Sequence, residues 1–310
     1  MIYDSVRKWI YRNARPLEFS LWRFLFENGS QDDVIDILMQ YQNEDGGFGH
    51  ALEADSWNPA STPITTNHAI KILSTICFDE ATHPIHQGIQ KYLSSEKDLL
   101  EYGWPFTIRS NDDFPHAPWW NYSEEQNEKE YYGVTAGLTA YILKFFSPKT
   151  AIYQKALRFA DTMIKLIGEN KSYGDMGLEG LICLVETLHS LGNNDYDYDC
   201  LYKKLAEKVT QGIEHDTEKW KYYGVRPSNF IRTPNSRFYP QNEEIVKKEL
   251  GYLIDTFPKD DVWGITWTWF ENMEQYEKYF SISENWWKAS KAIDNILFLR
   301  NFSYLQEFRN

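Results

Sequence analysis

The residues that could do chemistry gather in a few short stretches. Asp45, His50, Glu53 and Asp55 follow one another closely. Carboxylates and an imidazole at such spacing push one another's pKa values apart, and so can supply a general acid and a general base. The competing reading makes Asp45 a turn cap and leaves the others solvated or paired with arginines. A second cluster, Asn111-Asp112-Asp113-Phe114-Pro115-His116-Ala117-Pro118-Trp119-Trp120-Asn121, sets carboxylates and an imidazole beside paired tryptophans between prolines. Glu53, Asp55, Asp113 and His116 are the candidate catalytic groups, with His50, Trp119 and Trp120 as candidate binding groups. The paired indoles can stack on a sugar ring or steady a carbocation through their faces, or else plug the end of the fold.

Two further stretches carry binding groups. Arg226 and Arg232, in a loop braced by Pro227 and Pro234, can grip a carboxylate or phosphate with two parallel hydrogen bonds, or simply neutralise neighbouring acids. Trp263-Gly264-Ile265-Thr266-Trp267-Thr268-Trp269 alternates like an aromatic strip, and Trp263 and Trp267 are its candidate wall residues. His83 and His86 lack a glutamate at metallopeptidase spacing, so no metal is expected. Neither a Gly-x-Ser-x-Gly elbow nor a Gly-x-x-x-x-Gly-Lys loop is present, and no cofactor is expected.

These loops must be positioned by helices. Ser30 reads as an N-cap, followed by Asp32 and Asp33 in a first turn that favours negative charge. Val34, Ile37, Leu38 and Tyr41 recur at helical spacing, and Gly46-Gly47 must end that run. Thr65 or Thr66 can cap the next helix. Further helical stretches cover 83–94, 134–146, 152–167, 181–191, 201–213, 243–254, 272–280 and 285–299. Glycine turns flanked by aromatics recur near Gly47, Gly103, Gly174, Gly224 and Gly264, each interval about one helical hairpin long. The expected fold is therefore all-α, one domain over 1–310, with hairpins closed into a ring and long loops at one end.

Gln42-Asn43-Glu44-Asp45-Gly46-Gly47-Phe48-Gly49 resembles the Q-x-x-D-G-G-F/W-G turn of terpenoid cyclases and protein prenyltransferase β subunits. The resemblance implies their α/α toroid of about six helical hairpins. The run through His50–Asp55 and Asn58–Pro63 also resembles a group of uncharacterised bacterial prenyltransferase-like proteins. The D-x-D-D acid of squalene-type cyclases and the D-D-x-x-D magnesium signature are missing. Two enzyme readings follow: an isoprenoid-type ligand in an aromatic, acidic central cavity, or a carbohydrate-active enzyme using paired carboxylates and Trp platforms. A non-enzymatic binding or scaffold protein is the third.

Composition narrows the partners. The chain of 310 residues carries a net charge of -13 with no basic run, which disfavours nucleic acid and anionic membrane surfaces. No stretch approaches the length of a spanning helix, so no stable membrane insertion is expected, and a small molecule or oligosaccharide is the expected ligand. Cys77, Cys183 and Cys200 form no CxxC pair; Cys77 and Cys183 read as small core hydrophobes, and a reducing cytoplasm is the expected compartment.

Overall fold

The computed structural model describes residues 2–169, 171–259 and 261–305. Among these the chain is all-α, as expected. Its helices are α1 (Ile2–Asn13), α2 (Pro16–Phe26), α3 (Gln31–Leu38), α4 (Pro63–Thr75), α5 (Pro84–Ser95), α6 (Glu124–Phe145), α7 (Ala151–Ile167), α8 (Gly174–Ser190), α9 (Tyr198–Gly212), α10 (Glu243–Asp255) and α11 (Met273–Asn301). Extended backbone among the described residues pairs only in isolated bridges. No helix of the described residues is long and apolar enough to cross a membrane.

Local chemistry sets the helix starts. The Ser30 hydroxyl accepts the Asp33 N–H at 3.0 Å, so the expected cap is present. Thr62, rather than Thr65 or Thr66, caps α4: its side chain accepts the Thr65 N–H at 3.0 Å, and Pro63 takes the first helical position. Helix α6 begins ten residues before the apolar run that marks it in the sequence. Ser123 accepts the Gln126 N–H at 3.1 Å, and Glu124 and Glu125 occupy the positive end of the helix dipole. Those first turns are polar on every side, so no period betrays them. The two C-terminal stretches 272–280 and 285–299 merge into α11, with non-helical backbone at Tyr276.

The chain divides into two compact units, one made of Met1–Ile37 with Val209–Asn310 and the other of Leu38–Lys208. In the second unit α6 is the central helix. It buries residues continuously from Tyr132 to Leu143 and packs on α4, α7 and α8. Its closest approach to α8 is made where Gly180 faces Gly133: a Cβ on Gly180 would lie 2.3 Å from the Gly133 carbonyl oxygen. Helix α7 turns Ile152, Ala156, Ala160, Met163 and Ile167 inward, a single stripe at helical spacing.

In the other unit, α11 packs against α1 and α2. The Asn285 amide donates to the Asn13 carbonyl at 2.7 Å, and Arg300 donates to the Leu25 carbonyl at 2.5 Å. Arg15 precedes α2 and forms a buried ion pair with Glu18 at 2.8 Å, its guanidinium lying 4.7 Å from the Trp286 ring centroid. The cysteines depart from expectation: Cys77, in the left-handed region just after α4, and Cys183 are both exposed.

Candidate functional site

The Gln42–Gly49 segment folds as a tightly bonded turn. The Gln42 side-chain amide donates to the Gly46 carbonyl at 2.9 Å and to the Ile85 carbonyl at 3.0 Å. Asp45 accepts from the Gly47 N–H at 3.0 Å and from the Ser61 hydroxyl at 2.5 Å. Gly46 has φ of +91°, and a Cβ there would sit 2.0 Å from the Gly88 carbonyl oxygen, so the position admits only glycine. Phe48 is fully buried, and its N–H donates to the Thr66 hydroxyl. Gln42, Asp45, Gly46 and Phe48 thus each have a structural task, as their chemistry implies.

The backbone then does something the turn does not require. His50 and Ala51 both have φ of +56°, two successive non-glycine residues in the left-handed region. Such a conformation costs roughly 1–2 kcal/mol per residue. His50 is exposed, with Nε2 2.9 Å from the Asn43 side-chain oxygen. Beyond it the chain buries two carboxylates, Glu53 at 7% and Asp55 at 2% exposure, and Glu53 accepts the Asp55 N–H at 3.0 Å.

This loop meets the second sequence cluster. The Trp57 N–H donates to the Pro115 carbonyl, and the Ala117 N–H to the Asp55 carbonyl, both at 2.9 Å. Ser56 and His116 therefore face each other as an antiparallel pair. His116 is itself buried. Its ring braces its own loop, with Nδ1 2.6 Å from the Phe114 carbonyl and Nε2 2.6 Å from the Asn121 side-chain oxygen. The pairing is reinforced by Asn58, whose amide donates to Ser110 and Asn111, and by Asn111, which donates to the Trp120 carbonyl.

The remaining residues of that cluster divide. Asp113 is exposed, at the end of a 3-10 turn covering Arg109–Asp113. Asp112 accepts the Tyr122 N–H at 2.8 Å and lies 4.0 Å from His116. Trp119 is half-buried, but Trp120 is 2% exposed and stacks on Phe106 at 4.9 Å between centroids. Its faces are covered by protein, so Trp120 packs the fold and offers no platform. Its indole N–H is buried without an acceptor among the described residues.

Of the arginine and tryptophan candidates of the other unit, Arg226 and Trp263 are engaged in packing. Arg226 donates to the Trp220 carbonyl at 2.6 Å and lies over the Tyr252 ring. Its loop is tethered by Glu249, a fully buried carboxylate that accepts the Ser228 N–H at 2.8 Å and the Ser228 hydroxyl at 2.6 Å. Burial pushes the Glu249 carboxyl up, against the pull of those bonds. Arg232 is exposed, and its carbonyl accepts from Asn301. Trp263 is buried and donates to the Leu253 carbonyl; Trp267 is half-buried against Tyr223 and Trp287. These residues stand in the opposite unit from Glu53 and Asp55.

Among the described residues no three His, Cys, Asp or Glu side chains are gathered to hold a metal ion. His86 illustrates why the imidazole pair 83/86 fails. Its ring is buried, with Nδ1 2.7 Å from the Tyr141 hydroxyl and Nε2 3.2 Å from the Phe78 carbonyl, while His83 caps α5.

An open groove of about 500 Å³ also lies in the Leu38–Lys208 unit, walled by the turn after α5, the start of α6 and one face of α7. Its residues come singly from separate elements and share no motif in the sequence. Only the aromatic-glycine turn at Tyr102-Gly103 could have pointed to it. Compared with family models, curated proteins and solved structures, the chain matches none.

Proposed function

We propose that the chain is an acid–base enzyme of the carbohydrate-active class, with Glu53 and Asp55 as its reacting carboxylates. The observation that carries this reading is the left-handed pair His50-Ala51 leading into two buried acids. A turn that only joined two helices would need neither the strained backbone nor the acids, and strain of this kind gathers where function demands a geometry. Paired carboxylates suit glycoside chemistry, one protonating the leaving oxygen while the other acts as base or nucleophile.

The surroundings favour this over the isoprenoid alternative. Ionising a prenyl group needs a dry aromatic cavity, whereas the loops that hold Asp55 are built of Asn58, Ser110, Asn111, His116 and Asn121 bonded to one another. Half-buried Trp57 and Trp119 lie on these same loops and supply aromatic surface for a sugar face. The α/α toroid that the Gln42–Gly49 turn resembles is part of the proposal, supported by helices α6, α7 and α8 following one another through short connections.

The test is a turnover screen of the whole chain against neutral and uronic-acid oligosaccharides, with prenyl diphosphates as the opposing class, read by mass spectrometry. Cleavage of a saccharide that is lost in both Glu53→Gln and Asp55→Asn, with the fold intact by circular dichroism, is the expected result. Turnover that survives both substitutions, or turnover of prenyl diphosphates alone, overturns the proposal.

A further inference from the structure

The groove of about 500 Å³ is built by the second of the aromatic-glycine turns. Leu100 and Gly103 pair as an isolated bridge, with N–H to carbonyl distances of 2.9 Å and 3.3 Å. Gly103 has φ of +139°, and a Cβ there would lie 2.3 Å from the Thr135 hydroxyl, so the turn is pressed onto α6. Trp104 beyond it is buried and donates its backbone N–H to Thr135. With Trp104 anchored inward, Leu100 and Tyr102 are left at the groove, and Leu100 remains 41% exposed.

The wall is aromatic and ordered. Tyr102 and Tyr131 meet edge to face, with centroids 4.9 Å apart and planes at 63°. Phe159 of α7 lines the opposite part and rests against Trp104 at 5.7 Å. Burial raises the pKa of both tyrosines, so their hydroxyls stay protonated at neutral pH.

The charges of the lining balance. Lys155 and Glu96 form an ion pair with each other. Of the other two charged groups, Glu101 is exposed, and Arg158 is exposed with one guanidinium nitrogen on the Gln154 carbonyl of its own helix. An anion would meet Glu101, a cation would meet Arg158, and a hydrocarbon chain would desolvate both. A neutral ring with one apolar face and a rim of hydroxyls meets none of these penalties. It can lay its face on the aromatic wall while vicinal hydroxyls bridge the planar carboxylate and guanidinium groups. The volume is within the range of small-ligand sites.

We infer that this groove is a binding subsite for a neutral oligosaccharide, distinct from the Glu53–Asp55 loop. It shares the substrate class of the proposed enzyme and none of its residues, so the two readings can fail separately. The experiment titrates the whole chain with maltotriose, cellotriose, xylotriose and mannotriose by isothermal calorimetry. At least one should bind with a millimolar or tighter Kd. Tyr131→Ala and Arg158→Gln, each checked for an unchanged melting curve, should each weaken it about tenfold or more. Gly264→Ala, with no heavy atom within 4 Å of the added Cβ, should still bind it.

If Tyr131→Ala does not fold, Arg158→Gln and Glu101→Gln carry the test, since both side chains are exposed. Absence of binding by all four sugars, or binding unchanged by the groove substitutions, overturns the inference. So does a groove-dependent response to geranyl diphosphate in place of the sugars.

Discussion

Replacing Gly46 with alanine tests whether the signature turn is as constrained as its geometry implies. The added Cβ would sit 2.0 Å from the Gly88 carbonyl oxygen and 2.5 Å from its carbonyl carbon, both backbone atoms of α5. Relief therefore requires α5 or the turn to move by well over an ångström. Overpacking of this kind costs about 1–3 kcal/mol. Alanine at φ of +91° adds roughly 1–2 kcal/mol of backbone strain. The two lie at one site and together give roughly 2–5 kcal/mol, before any loss of the Gln42 bonds to Gly46 and Ile85.

Urea unfolding followed by circular dichroism reads this as a lower midpoint at unchanged slope. Gly264→Ala is the internal standard: no heavy atom lies within 4 Å of its Cβ position, so its effect should stay within about 0.5 kcal/mol. If Gly46→Ala unfolds no earlier than Gly264→Ala, the steric account of the turn is wrong.

Other outcomes follow from buried polar groups. Burial lowers the His86 pKa below its ordinary 6.5, so the unfolded chain takes up this proton first as pH falls. The contribution is present above pH 6.5 and lost below it; His86→Gln should flatten that part of a stability-against-pH curve, and an unchanged slope would remove His86 from the account. Glu18→Ala leaves the Arg15 guanidinium buried without this carboxylate and should cost about 3–5 kcal/mol, whereas a cost below about 1 kcal/mol would show the pair to be dispensable. Trp120→Ala should cost about 3–5 kcal/mol through the cavity beside Phe106. Trp120→Phe should cost clearly less, because its indole N–H has no acceptor to lose among the described residues.

Much of the helical order is legible in the chain, because apolar period and capping residues act locally. The stripe Ile152, Ala156, Ala160, Met163 is visible without coordinates, and so is the Ser30 cap. Helices α1 and α2 are less so, since charged and aromatic residues fill their faces and the Arg15–Glu18 pair is buried by contacts distant in sequence. For the candidate site, the residue types in 50–55 and 112–121 are informative, and the two loops do pair. What the chain could not disclose is the register of that pairing, which sets Ser56 rather than Asp55 opposite His116. Nor could it show that Trp120 is enclosed while neighbouring Trp119 is not, for this depends on where Phe106 lies. The groove residues carry no local signature at all.

One unit of this chain is assembled from both its ends, with Leu38–Lys208 forming the other. During synthesis the consequence is a matter of timing. Helices α1 and α2 leave the ribosome well before their packing partner α11; Asn13 waits for Asn285, and Leu25 for Arg300. At ordinary elongation rates of about 5–20 residues per second, that delay amounts to roughly tens of seconds. The internal segment is continuous chain and can form its own internal contacts meanwhile. The two nascent helices carrying Val6, Ile10, Leu17 and Trp22 can pack on each other, as Tyr3 stacks on Trp22, but lack the cover of α11. Ribosome stalling shortly before α11 should therefore yield a folded core with a protease-sensitive amino-terminal arm.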